Sequence, residues 1–271
     1  MKKIYSKFDK KLISQLPQVL FNGKVETIVS ESEAEKAVDY LLRQDIIGFD
    51  TETKPMFRSG HQNEVALLQV SSRDICFLFR LNHIGVPPCI IRLLSDDSNI
   101  KVGLSWHDDI RMLRHRAEFI PGHFIELQEM VSDFGIKDLS LQKLYANIFG
   151  QKISKSQRLS NWEADVLSES QKLYAATDAW ACVMLYEEFI RLKNEGYELE
   201  VVPEPEPVPA APKENKPQSK KTKKSESKTG TTATPKERNV PRTRKTVRGK
   251  HHYHSTSKKG ARQSNEVKST P

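Results

Sequence analysis

The chain has 271 residues, 29% of them charged, with a formal net charge of +8 and three cysteines. It is long enough for a well-buried core. No run approaches the ~18 apolar residues needed to cross a bilayer, and no apolar signal-peptide segment follows the basic start Met1-Lys2-Lys3, so a soluble, cytoplasmic protein without membrane association is expected.

The charge is unevenly placed. Residues 201–271 carry 18 Lys and Arg against 6 Asp and Glu, whereas residues 1–200 carry 25 against 29. The basic character therefore belongs to a tail, and a basic face on the folded part is not implied. Cys76, Cys89 and Cys182 lie in apolar runs without metal-binding spacing and read as small buried side chains in a reducing compartment.

Residues 1–23 read as a loosely held N-terminal arm, with a short helix among Leu12, Ile13, Leu16 and Leu20. The folded domain is expected over residues 24–199. Alternation at Val25, Thr27 and Val29 predicts a strand, and Ser30 or Ser32 can cap a helix through Ala34, Ala37, Val38, Leu41 and Leu42. Ile46–Thr51 reads as a buried strand. Val65–Val70 and Ile75–Phe79 read as two more, joined by a hairpin turn at Ser71–Asp74. A Pro-started helix (Pro87 to Leu94), a short strand at Lys101-Val102 and a helix from about His107 to Arg116 follow. Further helices are predicted over Leu127–Phe134, Leu139–Phe149 and Glu169–Asn194, which makes the domain α/β. From residue 200 to Pro271 the sequence is rich in Pro, Lys, Ser and Thr, and a disordered basic tail is expected.

Three elements carry chemistry. In Phe49-Asp50-Thr51-Glu52-Thr53, strand alternation puts Asp50 and Glu52 on one face. Two carboxylates so placed repel unless a cation lies between them, and hard divalent cations take such oxygen ligands; a strand running into a polar loop would look similar. The run Ser105-Trp106-His107-Asp108-Asp109 opens a helix, where acidic residues also serve as caps. In Tyr174-Ala175-Ala176-Thr177-Asp178 the i, i+4 spacing puts Tyr174 and Asp178 on one helical face, and the small residues between them allow close approach to the sheet. Trp106 and His107 read as surface or capping residues, and Trp162 as core packing. Lys152, Lys155 and Arg158 sit in a polar stretch able to touch phosphates.

Together, and in this order, the strand Asp-x-Glu, the helix-start Asp and the helical Tyr-x-x-x-Asp resemble the DEDD superfamily of 3′–5′ exonucleases, in its tyrosine subclass. The similarity is to the ribonuclease D and Werner-type exonuclease domains. It extends over about residues 24–195, with Val65–Val70, Ser160-Asn161-Trp162 and Gln171–Ala179 also in keeping with that group.

The resemblance implies a ribonuclease H-like fold, a mixed sheet flanked by helices. It implies two divalent ions, Mg²⁺ or Mn²⁺, held by Asp50, Glu52, Asp109 and Asp178, with Tyr174 positioning the attacking water. Asp50 would bridge the ions, Glu52 and Asp178 would complete the nucleophile's site, and Asp109 would act on the other ion through water. Asp108 is the alternative in the second motif; the spacing to Phe124–Leu127 and the burial expected of Met112 and Leu113 favour Asp109.

The implied partners are DNA or RNA 3′ ends, and the product a nucleoside 5′-monophosphate. Met56 and Phe57 are candidates to meet the terminal base, and Lys155 and Arg158 to meet the backbone. The tail, with Lys220–Lys224 and Arg242–Arg248, would bind nucleic acid without reading sequence. A non-catalytic nucleic-acid-binding protein on a nuclease fold is the alternative; its mark would be a missing carboxylate, and none is missing.

Overall fold

A computed structural model describes residues 1–55 and 63–203. The elements run β1 (Lys2–Tyr5), α1 (Lys10–Ile13), β2 (Lys24–Ile28), α2 (Glu31–Leu41), β3 (Ile46–Thr53), β4 (Val65–Ser71), β5 (Ile75–Arg80), α3 (Leu81–Ile84), α4 (Pro88–Ser95) and β6 (Ile100–Gly103). They continue with α5 (Trp106–Arg114), β7 (Phe124–Glu126), α6 (Leu127–Ser132), α7 (Leu141–Phe149), α8 (Glu169–Glu195) and β8 (Tyr197–Glu200).

The main sheet has the order β2-β5-β4-β3-β6-β7. The hairpin expected at Ser71–Asp74 is present, with β4 antiparallel to both β3 and β5; the pairs β2–β5, β3–β6 and β6–β7 are parallel. A sheet covered on both faces needs strands that are apolar throughout. Every residue of β4 from Val65 to Ser71 is buried, and only Gln69 and Ser71 among them are polar.

One face carries a core of Phe49, Leu68, Val70, Phe77 and Phe79 with α2, α4 and α5. The other carries Leu67, Cys76 and Leu78 against Ala175 and Ala176 of α8. The small residues of α8 let it lie very close to the sheet: a Cβ on Gly48 would fall 1.9 Å from the Ala179 carbonyl oxygen. That contact fixes the height of Asp178 above β3. All three cysteines are buried and unbridged.

Residues 1–23 are not a loose arm. β1 pairs in parallel with β8, Ile4 is fully buried, and the Phe21 N–H donates to Thr177 Oγ1 at 3.0 Å on α8. Local periodicity cannot reveal a strand whose partner lies almost two hundred residues away. The chain divides into Met1–Val208 and Pro209–Pro271; the basic tail expected over 200–271 lies outside the described residues from 204 onward.

Candidate active site

The site forms where β3 leaves the sheet. Apolar Ile47 and Phe49 anchor the strand, so Asp50 and Glu52 emerge at its end on the α8 side. α8 starts with a capping box, Ser168 with Gln171, and Gln171 Nε2 also donates to Ser160 Oγ at 3.0 Å and Asn161 O at 3.2 Å. Two of the stretches that carry the family resemblance are thus joined by one side chain, which sets the start of the helix that presents Tyr174 and Asp178.

Carboxylate oxygens of Asp50, Glu52 and Asp178 all lie within 4.8 Å of one another. Asp109 lies outside this group of three and accepts a hydrogen bond from the Thr51 hydroxyl. It is near enough to raise the carboxyls of Asp50 and Glu52.

Asp108 points elsewhere. Its side chain is exposed and pairs with Arg111 at 3.0 Å. Neither aspartate is needed to cap α5, because the buried Glu126 of β7 does so: its carboxylate accepts from the backbone N–H groups of Ser105 (2.9 Å) and Trp106 (3.0 Å), and it also caps α6 through the Gln128 N–H (3.0 Å). This cap crosses a left-handed Ser105, with φ of 62°, an uncommon conformation for a non-glycine residue. Glu126 and Thr51 therefore hold Asp109 in place, and neither announces that role by type or spacing alone.

Burial raises all four carboxyls, and neighbouring carboxylates add to the rise at Asp50, Glu52 and Asp109. Asp50 lies well above the usual range, first through burial and then through Asp109, Asp178 and Glu52. Glu52 is pushed to about 9 by burial, then Asp178 and Asp109, against a lowering pull from Arg158. Asp178 is pushed to about 7 by burial, opposed by the Tyr174 hydrogen bond and Lys155. Asp109 rises to about 6 through burial, with the Thr51 hydroxyl opposing. The Tyr174 phenol is raised by burial and then by Asp178 and Glu52, which keeps it protonated.

Such a cluster stores repulsion that a divalent cation would relieve. Hard oxygen donors in this number suit Mg²⁺ or Mn²⁺, so the residues present fit the implied metal.

A cleft of about 250 Å³ opens onto Asp50, Tyr174 and Asp178, with Lys155, Ser140 and Ser154 on its walls. Lys155 and Arg158 are exposed beside the carboxylates they pull down. Lys152 instead donates to the Ser14 carbonyl at 2.7 Å. Trp162 is fully buried against Tyr174, with ring centroids 6.0 Å apart, as core packing requires. His107 stacks on Trp106 at 4.0 Å. Met56 and Phe57 lie outside the described residues; just before them, Lys54 pairs with Glu163 at 2.9 Å.

A family model described as 3′-5′ exonuclease matches residues 25–192, and the chain belongs to that family. It is 32% identical over 149 residues to the mouse bifunctional 3′-5′ exonuclease/ATP-dependent helicase WRN, a match covering 53% of this chain and 11% of that protein. Identity to the Drosophila melanogaster exonuclease 3′-5′ domain-containing protein 2 is 37% over 150 residues, covering 54% of this chain and 25% of the relative. The chain thus spans a quarter or less of the length of these two relatives. Among solved structures, the Aedes aegypti Nibbler EXO domain superposes with a TM-score of 0.58 at 23% identity, covering 64% of this chain and 91% of that one. The mixed sheet flanked by helices is accordingly the ribonuclease H-like exonuclease fold that the sequence motifs imply.

Proposed function

We propose that this chain hydrolyses terminal phosphodiesters of DNA or RNA from the 3′ end in a reaction that depends on two divalent cations, releasing nucleoside 5′-monophosphates. The observation that carries this reading is the meeting of Asp50, Glu52 and Asp178 within 4.8 Å, with Asp50, Asp178 and Tyr174 lining a cleft.

Asp50, Glu52 and Asp178 would hold Mg²⁺ or Mn²⁺, and Asp109 would act from one step further out. Bound cations of this kind activate water and stabilise a leaving oxygen. The chain's own residues do the rest. Asp50 and Glu52 would hold the cations at the end of β3. Tyr174, beside Asp178, would orient the attacking water by hydrogen bond. Lys155 and Arg158 offer exposed positive charge beside the carboxylates, where the scissile strand's phosphates would lie.

Digestion of a 3′-labelled oligonucleotide tests the proposal. Mononucleotide release is expected with Mg²⁺ or Mn²⁺, none with EDTA, and none from Asp50→Ala or Asp178→Ala protein that retains its circular dichroism. Digestion that EDTA does not affect, or full activity in Asp178→Ala, would reject it. Matched RNA, single-stranded DNA and recessed duplex DNA in the same assay assign the substrate class.

The basic tail is proposed to recruit nucleic acid to a body that is itself slightly acidic. Truncation after Pro203 keeps β8 intact. It should raise KM at low salt and leave KM unchanged at high salt; an unchanged KM at low salt counts against recruitment. A cytoplasmic location is also proposed; among the described residues the three cysteines are buried and no helix is long and apolar enough to cross a membrane.

A further inference from the structure

β4 carries one amide through the apolar body. Gln69 is fully buried, and neither its Oε1 nor its Nε2 has a hydrogen-bond partner among the described residues. The register gives its position: Gln69 is the cross-strand partner of Asp50 on one side and of Leu78 on the other. Directly opposed residues of an antiparallel pair project to the same face, with Cβ atoms about 4.5–5.5 Å apart. For this pair the face is the one that α8 covers, since Gly48, two residues before Asp50 on β3, abuts the Ala179 carbonyl. Gln69 does not line the cleft. It sits beside Asp50 on the protein side of the carboxylate cluster.

An amide buried with both polar atoms unpaired is costly, and an apolar side chain of similar volume would avoid that cost. The position next to Asp50 supplies a reason for the amide. An ionised carboxylate that ligates cations through its outer oxygen keeps acceptor capacity on the inner side. A hydrogen bond to a charged acceptor is stronger than one to a neutral acceptor. Partners of this type orient the ligating group.

The geometry points to Gln69 as a positioning residue for Asp50, its side-chain NH₂ donating to the Asp50 carboxylate when the site holds divalent cations. This inference rests on the metal reading of the site. It separates two quantities that usually move together. Loss of the amide leaves the metal-free fold intact or firmer, because an unpaired polar group is removed, while metal binding weakens.

The test compares wild type, Gln69→Met and Asp50→Asn by Mn²⁺ titration calorimetry and by melting temperature with and without Mn²⁺. Gln69→Met is expected to melt at or above wild type in EDTA and to bind Mn²⁺ about 10-fold more weakly. Equal Mn²⁺ affinity in wild type and Gln69→Met overturns the inference, including when the variant melts lower, which would mark Gln69 as structural only. Failure of wild type to bind Mn²⁺ at all overturns the metal reading itself, and this inference with it.

A second measurement needs no variant that folds. In wild type, the Gln69 side-chain amide resonance should shift as Mg²⁺ is added. An amide resonance that stays fixed while the backbone signals of Asp50 and Asp178 move also overturns the inference.

Discussion

Replacing Asp178 by asparagine should make the metal-free protein more stable, and the gain should grow with pH. Asp178 is 8% exposed and faces Asp50 and Glu52 across less than 4.8 Å. Its carboxyl is pushed from 3.8 to about 7, burial outweighing the opposing Tyr174 hydrogen bond and Lys155.

The sign follows from proton linkage. A carboxyl whose pKa is raised on folding holds its proton longer in the native state, so stability is lost as pH climbs from the unfolded value through the folded one. Between pH 5 and pH 7.5 the unfolded carboxyl is ionised throughout, while the native one must give up its proton near 7. Two pKa units at about 1.4 kcal/mol each give about 3 kcal/mol lost by wild type over this range. The asparagine side chain of Asp178→Asn does not ionise and escapes that loss. Asp178 also helps to raise Asp50 and Glu52, so its removal lowers both carboxyls and adds to the variant's advantage in the same direction.

Guanidinium denaturation in EDTA at pH 5 and pH 7.5 measures the effect. The advantage of Asp178→Asn over wild type should widen by at least about 3 kcal/mol, and Mn²⁺ should reverse the order, because wild type, with every carboxylate in place, binds the ion more tightly. A wild type that loses nothing relative to the variant would refute the reasoning that the cluster is crowded and dry.

Asp109→Asn should lower kcat by on the order of 100-fold or more, while Asp108→Asn, exposed and paired only with Arg111, should stay within about 3-fold, as surface changes usually do; steady-state kinetics on one oligonucleotide decides between them. Tyr174→Phe should lower kcat by about 10- to 100-fold, the worth of one well-placed hydrogen bond, with Mn²⁺ affinity little changed by calorimetry. Gly48→Ala forces a methyl group against the Ala179 carbonyl, and thermal melts should show at least about 1–3 kcal/mol of destabilisation together with weaker Mn²⁺ binding, as α8 lifts Asp178 away from β3.

The parts of the site that follow a local period were readable in the sequence. Asp50 and Glu52 close an apolar strand with period two, and Tyr174 and Asp178 share a helical face. Spacing favours Asp109 over Asp108 as the second-motif residue; the contacts that place Asp109 beside β3, the Glu126 cap and the Thr51 hydroxyl, are tertiary. β7 has three residues, too few for a periodic signal, yet it carries Glu126. β1 and β8 find each other across almost the whole described chain, so the N-terminal segment read as an arm. Gln69 is hidden for the opposite reason: a strand buried on both faces shows no alternation, and one amide among apolar residues gives no hint of which face it occupies.

The central claim is that Asp50, Glu52 and Asp178, with Asp109 close by, exist to hold divalent cations at a nucleic-acid 3′ end. Anomalous scattering from crystals soaked in Mn²⁺ above pH 7 with a nucleoside 5′-monophosphate tests it most directly. Two manganese peaks are expected at this cluster, in contact with the phosphate of the nucleotide. Manganese found only on surface carboxylates, with none between Asp50 and Asp178, would contradict it.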